Sequence, residues 1–394
     1  MKVVQINTTC GVGSTGKICV GISDIMCEHG IENYILYQSG NTPHPLAIKC
    51  AQNVPKLQSL KSRILGNYGF NSLITTRKII KELEKINPDI VHLHNLHGHN
   101  CHLGMLMDYF RSKQTKLVWT FHDCWAFTAY CPHFIMANCN KWKTGCYSCI
   151  QKNTFSWFFD RSKWLFNKKK ETFSHLDLTI VTPSKWLANL VKESFLSSYP
   201  VKVINNGIDL DVFRPTTSDF RARYRLSDDK FIILGVAFQW GIRKGIDAFL
   251  HLAKRLDKEK FKIVMIGTDD EIDKLLPENV ISIHRTSNQK ELAEIYTAAD
   301  LFVNPTREDT FPTVNMEALA CGTPILTFRT GGSIEILDEF TGKVVDCNDE
   351  ESMYNSILEI ERARMFTSDN CIARAKEFNE TLKFNEYIEL YLSE

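Results

Sequence analysis

No apolar run in this 394-residue chain approaches the ~20 residues that span a bilayer, which excludes an ordinary transmembrane helix. The amino-terminal MKVVQINTT alternates as a strand does and lacks the apolar core of a secretory signal, so export is not expected. There is no low-complexity segment and no short-period repeat. The cysteines do not pair off: thirteen, in a chain large enough for a real core, point to reduced cytosolic thiols rather than a disulfide framework. Net charge is almost absent, at +1, but the balance is uneven along the chain. Residues 1–207 carry 24 Lys and Arg against 12 Asp and Glu, a net of +12; the remainder carries 23 against 34, a net of −11. A basic half suits an anionic partner such as a membrane surface, a lipid diphosphate or nucleic acid, unless the two halves simply neutralise each other.

What is present is an ordinary globular composition, 44% hydrophobic and 24% charged, at a length that suggests two cores. The first half repeats strand, loop and helix. KVVQINTT, NYILYQSG, DIVHLHN, KLVWTFHD and LTIVTPS read as strands, with helices over ICVGISDIMCEHG and about 75–86. An irregular Cys- and aromatic-rich insertion occupies about 124–160. The pattern restarts at FIILGVAF, with KIVMIG, VISIH and DLFVNP as strands and a helix over 289–298. Two α/β halves in series predict two doubly wound domains facing a cleft. The expected division is 1–205, 206–375 and a final helical stretch, 376–394.

GVGSTGK at 11–17 satisfies two nucleotide motifs but lacks a residue each requires. Gly11, Gly13 and Gly16 form G-x-G-x-x-G, yet the second strand ends Tyr37-Gln38-Ser39 with no acid for a ribose. Lys17 suits a P-loop, but Ile18 stands where a hydroxyl should hold magnesium. A P-loop or dinucleotide enzyme is therefore the rival reading. The other is a glycine loop, Lys17 included, that lets backbone approach a ligand.

Five histidines crowd VHLHNLHGHNCHL: His92, His94, His97, His99 and His102. With no carboxylate close by in sequence, hydrogen-bonded histidines are the expectation rather than a metal site, and His94 and His97 are acceptor candidates. Cys131, Cys139, Cys146 and Cys149 have spacings x7, x6 and x2, of which only the last is a zinc knuckle. Few aliphatic residues surround them, so the segment is expected to lack a core of its own, and a structural zinc would stabilise it. Free thiols are the alternative, as is His133 in place of one ligand. A nonenzymatic zinc-containing binding protein is a third reading of the chain. Residues 154–173 interleave Trp157, Phe158, Phe159, Trp164, Leu165 and Phe166 with Arg161, Lys163, Lys168, Lys169 and Lys170. That suits an anionic membrane face or an amphipathic helix packed on the domain.

The most informative string is NPTREDTFPTVNMEALACGTPILT, 304–327. A buried strand ends at Pro305, and a polar loop with Glu308 and Asp309 leads to a helical start at NMEALACG, with Glu317 in its first turn. Carboxylates and a helix N-terminus then meet at the carboxyl edge of a parallel sheet, where such sheets bind ligands. Upstream, FQWGIRKGIDAFL sets Arg243 and Lys244 just before another helix start, and TGGSIEIL supplies a further glycine turn.

This constellation resembles the donor site of retaining family 4 glycosyltransferases of the bacterial surface-polysaccharide type, which have the GT-B fold. Asp309 stands where the family has the first of two Glu, with Glu317 as the second. Gln239 stands where the family often has Arg. The resemblance implies a UDP- or GDP-linked sugar donor, a saccharide or lipid-linked acceptor, no nucleic acid, and no metal for catalysis. Arg243 and Lys244 would stabilise the departing diphosphate, Glu317 would bind ribose, and Asp309 the sugar hydroxyls. The amides of Thr313 and Val314 would face phosphate, and His122 would orient the sugar. Retention would arise by front-face attack, with a covalent intermediate on Asp309 as the alternative. The implied location is cytoplasmic, at the inner face of the membrane.

Overall fold

The computed structural model describes residues 1–51, 55–97 and 101–393, with backbone alone at 55–57; His99 lies outside the described residues. Contacts divide the chain into two compact units, Met1–Asn205 with the chain from Lys383 on, and Asn206–Leu382.

The first unit holds seven strands: β1 Lys2–Thr9, β2 Glu32–Ser39, β3 Ala47–Lys49, β4 Ile90–Leu93, β5 Lys116–Thr120, β6 Leu178–Thr182 and β7 Val201–Val203. They run parallel in the order β3-β2-β1-β4-β5-β6-β7. Val3, Val4, Ile6, Val91 and Leu93 are fully buried, because helices cover both faces of such a sheet. The strand order reverses between β1 and β4, and the glycine loop follows β1 at that point. The final helix, Glu380–Ser393, seats Phe384, Tyr387, Ile388 and Tyr391 among Val3, Ile18 and Ile22. Gly21 permits this approach: a β-carbon there would lie 2.2 Å from the Phe384 ring.

The second unit repeats the plan with β8 Phe231–Val236, β9 Phe261–Ile266, β10 Val280–Ile283, β11 Leu301–Asn304, β12 Ile325–Phe328 and β13 Gly342–Val345. All pair in parallel, in the order β10-β9-β8-β11-β12-β13, with the reversal between β8 and β11. Each unit is thus a doubly wound α/β domain. Among the described residues, no helix is long and apolar enough to cross a membrane.

The 124–160 insertion has no core of its own, as expected, and is held by aromatic side chains. Trp125, Phe127, Tyr130, Phe134 and Trp142 are all at most 3% exposed and merge with the core of the first unit. The 154–173 segment is not one uniform stripe. Helix Ser162–Thr172 buries Leu165, Phe166 and Lys169, while Trp157, Phe158, Phe159 and Trp164 are 44–64% exposed. Lys169 is fully buried and cannot face lipid.

Candidate active site

In the second unit, the loops after β8 and β11 flank the strand-order reversal. The first enters a tight turn, Ile242–Lys244, then helix Ile246–Arg255. Gly245, at φ +78°, is the joint; a β-carbon there would lie 2.4 Å from the Pro305 carbonyl oxygen. The loops can therefore close on each other. Lys244 Nζ donates to Asp309 Oδ2 at 2.7 Å, with one fifth of each side chain exposed. Arg243 Nη1 donates to the Glu308 carbonyl at 3.3 Å, and the Arg307 amide to the Arg243 carbonyl at 2.9 Å. Glu308 itself is buried.

Arg307, which the sequence reading passed over, stitches this edge together. It pairs with both carboxylate oxygens of Asp247 at 2.8 and 2.7 Å and donates to Asn348 Oδ1 and the Ile242 carbonyl. Gly331, at φ +48°, approaches from the other side: a β-carbon there would stand 1.7 Å from the Asp309 carbonyl oxygen.

The helix beyond the loop spans Thr313–Ala320, two residues earlier than expected, because it starts directly after Pro312. Glu317 consequently lies in the second turn and not the first. Its Oε2 accepts from the Tyr296 hydroxyl at 3.2 Å, another partner the sequence reading missed. The Thr313 and Val314 amides fall in the first turn, among the amides a helix leaves without internal partners. A buried amide–hydroxyl chain pins that turn to the strand ends: Asn304 donates to Asn315, Asn315 to Ser333, and Ser333 meets Thr327 at 2.8 Å.

At the equivalent edge of the first unit, Gly11 and Gly13 adopt φ of +70° and +69°, and the Gly11 amide closes on the Gly16 carbonyl. Lys17 is exposed, whereas Ile18 is buried in the core and offers no oxygen for magnesium. His122 follows β5. Gln5 Nε2 donates to the Cys19 carbonyl at 2.8 Å, so Gln5 Oε1 must accept from His94 Nε2 at 3.0 Å. The His94 Nδ1 is then an acceptor, and His122 Nε2, 3.2 Å away, carries the proton. Burial holds His122 down at about 4, with Asp123 opposing and His97 adding to the shift; His94 is pushed well down by burial, then by His92 and His122. All three links of the relay are therefore neutral at pH 7.

His94 is 1% exposed with both nitrogens engaged, so it orients His122 instead of touching an acceptor. His97 Nε2 meets Asp123 Oδ2 at 2.8 Å. Burial pushes the Asp123 carboxyl up, but His97 and the Trp125 amide outweigh it and hold the group near 2. His102 caps helix Leu103–Lys113 through the Met105 amide.

The profile of "Glycosyl transferases group 1" matches residues 217–378, and that of "Glycosyltransferase Family 4" matches residues 21–212. The chain belongs to the GT-B glycosyltransferases. It is 22% identical, over 88% of its length and 87% of the relative's, to a provisionally assigned colanic acid biosynthesis glycosyl transferase, WcaC, of Escherichia coli strain K12. A Campylobacter jejuni N,N'-diacetylbacillosaminyl-diphospho-undecaprenol alpha-1,3-N-acetylgalactosaminyltransferase is 27% identical, over 42% of this chain and 45% of that one. HepE of Anabaena, solved with UDP-glucose, superposes with a TM-score of 0.71 at 14% identity over 100% of this chain and 99% of that one, which shows the shared fold. These matches give the P-loop and dinucleotide readings no support. In this glycosyltransferase, the second-unit candidates converge on one sheet edge; Arg307 and Asp247 lie within the strings that mark it, whereas Tyr296 and Gln5 lie outside any motif.

Proposed function

We propose that this glycosyltransferase moves a sugar from a UDP- or GDP-linked donor to a saccharide acceptor with retention of configuration, in surface-polysaccharide assembly. The observation that carries this is the Lys244–Asp309 pair beside the opening turn of helix Thr313–Ala320. Lys244 and Arg243 supply positive charge where diphosphate charge grows as the glycosidic bond breaks. The Thr313 and Val314 amides add donors, and Glu317 and Asp309 accept from ribose and sugar hydroxyls. The acceptor oxygen attacks the face the diphosphate leaves, and the departing phosphate oxygen takes its proton. With the charge supplied by side chains, no metal enters the step. The role assigned to His122 is to orient the transferred sugar. HepE, solved with UDP-glucose, supports the donor class.

The proposed acceptor is lipid-linked, as in the Campylobacter relative, and the enzyme sits peripherally on an anionic membrane. The support is a set of exposed apolar side chains on the first unit. Exposed Leu65, Leu73 and Ile74 line a pocket of about 540 Å³ together with Phe70 and Arg77. Phe70 meets Trp164 ring to ring at 5.8 Å, and Trp157, Phe158 and Phe159 of the same unit are exposed as well.

Screening UDP- and GDP-sugars for hydrolysis and transfer, with and without EDTA, tests the reading. Lys244→Ala and Glu317→Ala should each lower turnover at least ~100-fold with the fold intact. Near-normal turnover in either variant removes the site assignment, and loss of activity in EDTA removes the metal-free step.

A further inference from the structure

The pocket of about 540 Å³ in the first unit lies where the turn between helices Pro55–Leu65 and Leu73–Ile86 meets the start of helix Leu103–Lys113. The second of these helices ends just before β4, and the third begins after it, so both start over the carboxyl edge of the sheet. That is the edge where such sheets take ligands, and it carries His94 and His122. The turn is firmly held. The Leu103 amide donates to the Gly69 carbonyl at 2.9 Å, and the His102 amide to the Thr76 hydroxyl at 2.7 Å. Tyr68 meets the Trp125 ring at 5.7 Å, and Trp125 meets the His97 ring at 5.4 Å. The wall of the pocket is thus tied through Trp125 to the histidine edge.

The polar groups of the lining are donors in search of an acceptor. Gln58 Oε1 is taken by the Ser72 amide at 2.9 Å and the Ser72 hydroxyl at 2.7 Å, which leaves Nε2 to donate. His102 Nδ1 accepts from the Met105 amide at 3.1 Å, so the neutral ring bears its proton on Nε2, and burial lowers its pKa. Asp108 and Lys168 act on that ring with opposite signs, and each has its own partner, Arg111 at 2.5 Å and Glu171 at 3.0 Å. Lys61 and Arg77 add two exposed cations, and among the described residues neither has an ion-pair or hydrogen-bond partner. No carboxylate lines the pocket among the described residues. Beside these groups stand Leu65, Leu73 and Ile74, 36%, 43% and 64% exposed, with buried Phe70 behind them. A small inorganic anion would leave those aliphatic groups wet, and a plain hydrocarbon would leave the cations unanswered. An amphiphilic anion satisfies both.

We propose that this pocket holds the charged joint of a lipid-linked acceptor, the diphosphate that connects a hydrocarbon chain to the saccharide. The inference rests on the lipid-linked acceptor proposed above and adds where that lipid is gripped. Arg77 and Lys61 take the phosphate oxygens, with Gln58 Nε2 and His102 Nε2 as further donors. Leu65, Leu73 and Ile74 cover the start of the chain. The volume falls in the ~300–1,000 Å³ of small-molecule sites, room for a head group and the first part of a chain but not a whole tail. The remainder of the chain leaves past Ile74, the most exposed of the three. No bond is made or broken here. The pocket only binds, and it presents the saccharide end to the edge that holds His122.

Calorimetry of the full chain with farnesyl diphosphate tests the site, with UDP and GDP at saturation to occupy the donor edge. Farnesyl diphosphate should bind at least ~10-fold more tightly than farnesol or inorganic diphosphate, since each lacks half of the match. Lys61→Gln with Arg77→Gln should weaken it at least ~10-fold, the scale of lost charged hydrogen bonds. Leu73→Ser with Ile74→Ser should weaken it too, and leave the affinity for inorganic diphosphate unchanged. If the first pair fails to fold, the second still decides. Equal affinity for farnesyl diphosphate in the wild type and both pairs overturns the site. Inorganic diphosphate bound as tightly makes it a plain anion site, and farnesol bound as tightly makes it an apolar groove; either overturns the proposal. Transfer that requires a lipid-linked acceptor, with no farnesyl diphosphate bound, removes the pocket and leaves the acceptor reading. Binding that both pairs weaken, with transfer that ignores the lipid, keeps the site and removes that reading.

Discussion

At the carboxyl edge of the second sheet, charge faces charge: Lys244 meets Asp309 and Arg307 meets Asp247. At the same edge of the first sheet, His92, His94 and His122 face one another, and burial keeps all three neutral. Both edges hold polar side chains under a strand-order reversal, but one settles its charges by pairing, while the other keeps three imidazoles neutral beside a single pair, His97 with Asp123. Paired charges survive partial exposure to water, and the Lys244–Asp309 pair is partly exposed. Neutral imidazoles need desolvation, and His92 and His94 are at most 1% exposed. The difference fits the proposed roles: a second unit that would meet a diphosphate, and a first unit that would hold an imidazole in one tautomer.

Acid should separate the two edges, with the largest effect of those expected here. Burial holds His92 at about 3 and His122 at about 4, against an ordinary 6.5, and lowers His94 as well. Between pH 6.5 and 4 the unfolded chain binds these protons and the native chain does not. Stability therefore falls as pH falls through that window, by about 1.4 kcal/mol per pH unit for each histidine. Hydrogen exchange should show β4 and β5 losing protection before β8 and β11. His92 meets the Tyr391 hydroxyl at 2.6 Å and the Thr120 hydroxyl at 2.8 Å, and His92→Gln, which can still serve both, should reduce the slope by one proton's worth. Equal loss of protection in both sheets would break the comparison.

The contrast also governs what could be read from the chain. The second-unit candidates lie in two short strings, 242–247 and 304–317, because a strand end, a loop and a helix start are consecutive. Near-continuous apolar runs such as FIILGV and DLFVN made the parallel sheets legible for the same local reason. The histidine relay was not legible: it joins residues 5, 19, 94 and 122, which only the sheet order brings together. Lys169 misled because it sits in a run of three lysines. The signal was available, since it follows Leu165 by four residues and Phe166 by three and so shares their buried helix face.

A smaller effect is expected at the surface where the first unit's positive charge is spent. Liposome flotation should show binding to anionic vesicles that weakens with salt. Replacing Trp157, Phe158 and Phe159 with Ser should weaken it at least ~10-fold, through lost apolar insertion. Lys163, Lys168 and Lys170 are the cations to change, at about 1 kcal/mol each, and Lys169 must be left alone. The second unit's acidic surface offers no such attraction. Equal recovery in the soluble fraction with anionic and neutral vesicles would remove the membrane from the function and make the exposed aromatics a different kind of surface.

The smallest effect tests whether the first unit's neutrality has a purpose. Gln5 is fully buried and never approaches solvent, yet it sets which nitrogen of His122 bears hydrogen, two bonds away. Gln5→Met keeps the volume and removes the acceptor. His94 is then free to place its proton on either nitrogen, and His122 with it. Nitrogen-15 NMR of the imidazoles should show His122 of the wild type protonated at Nε2 alone, and a mixture of tautomers in Gln5→Met. If one tautomer orients the sugar, kcat should fall about tenfold, or 1.4 kcal/mol, with KM unchanged. A structural role alone would lower the Tm and leave the remaining folded enzyme with normal kcat and a single tautomer. That outcome would reduce the relay to core packing, and the first unit's histidines would hold the fold without serving the reaction.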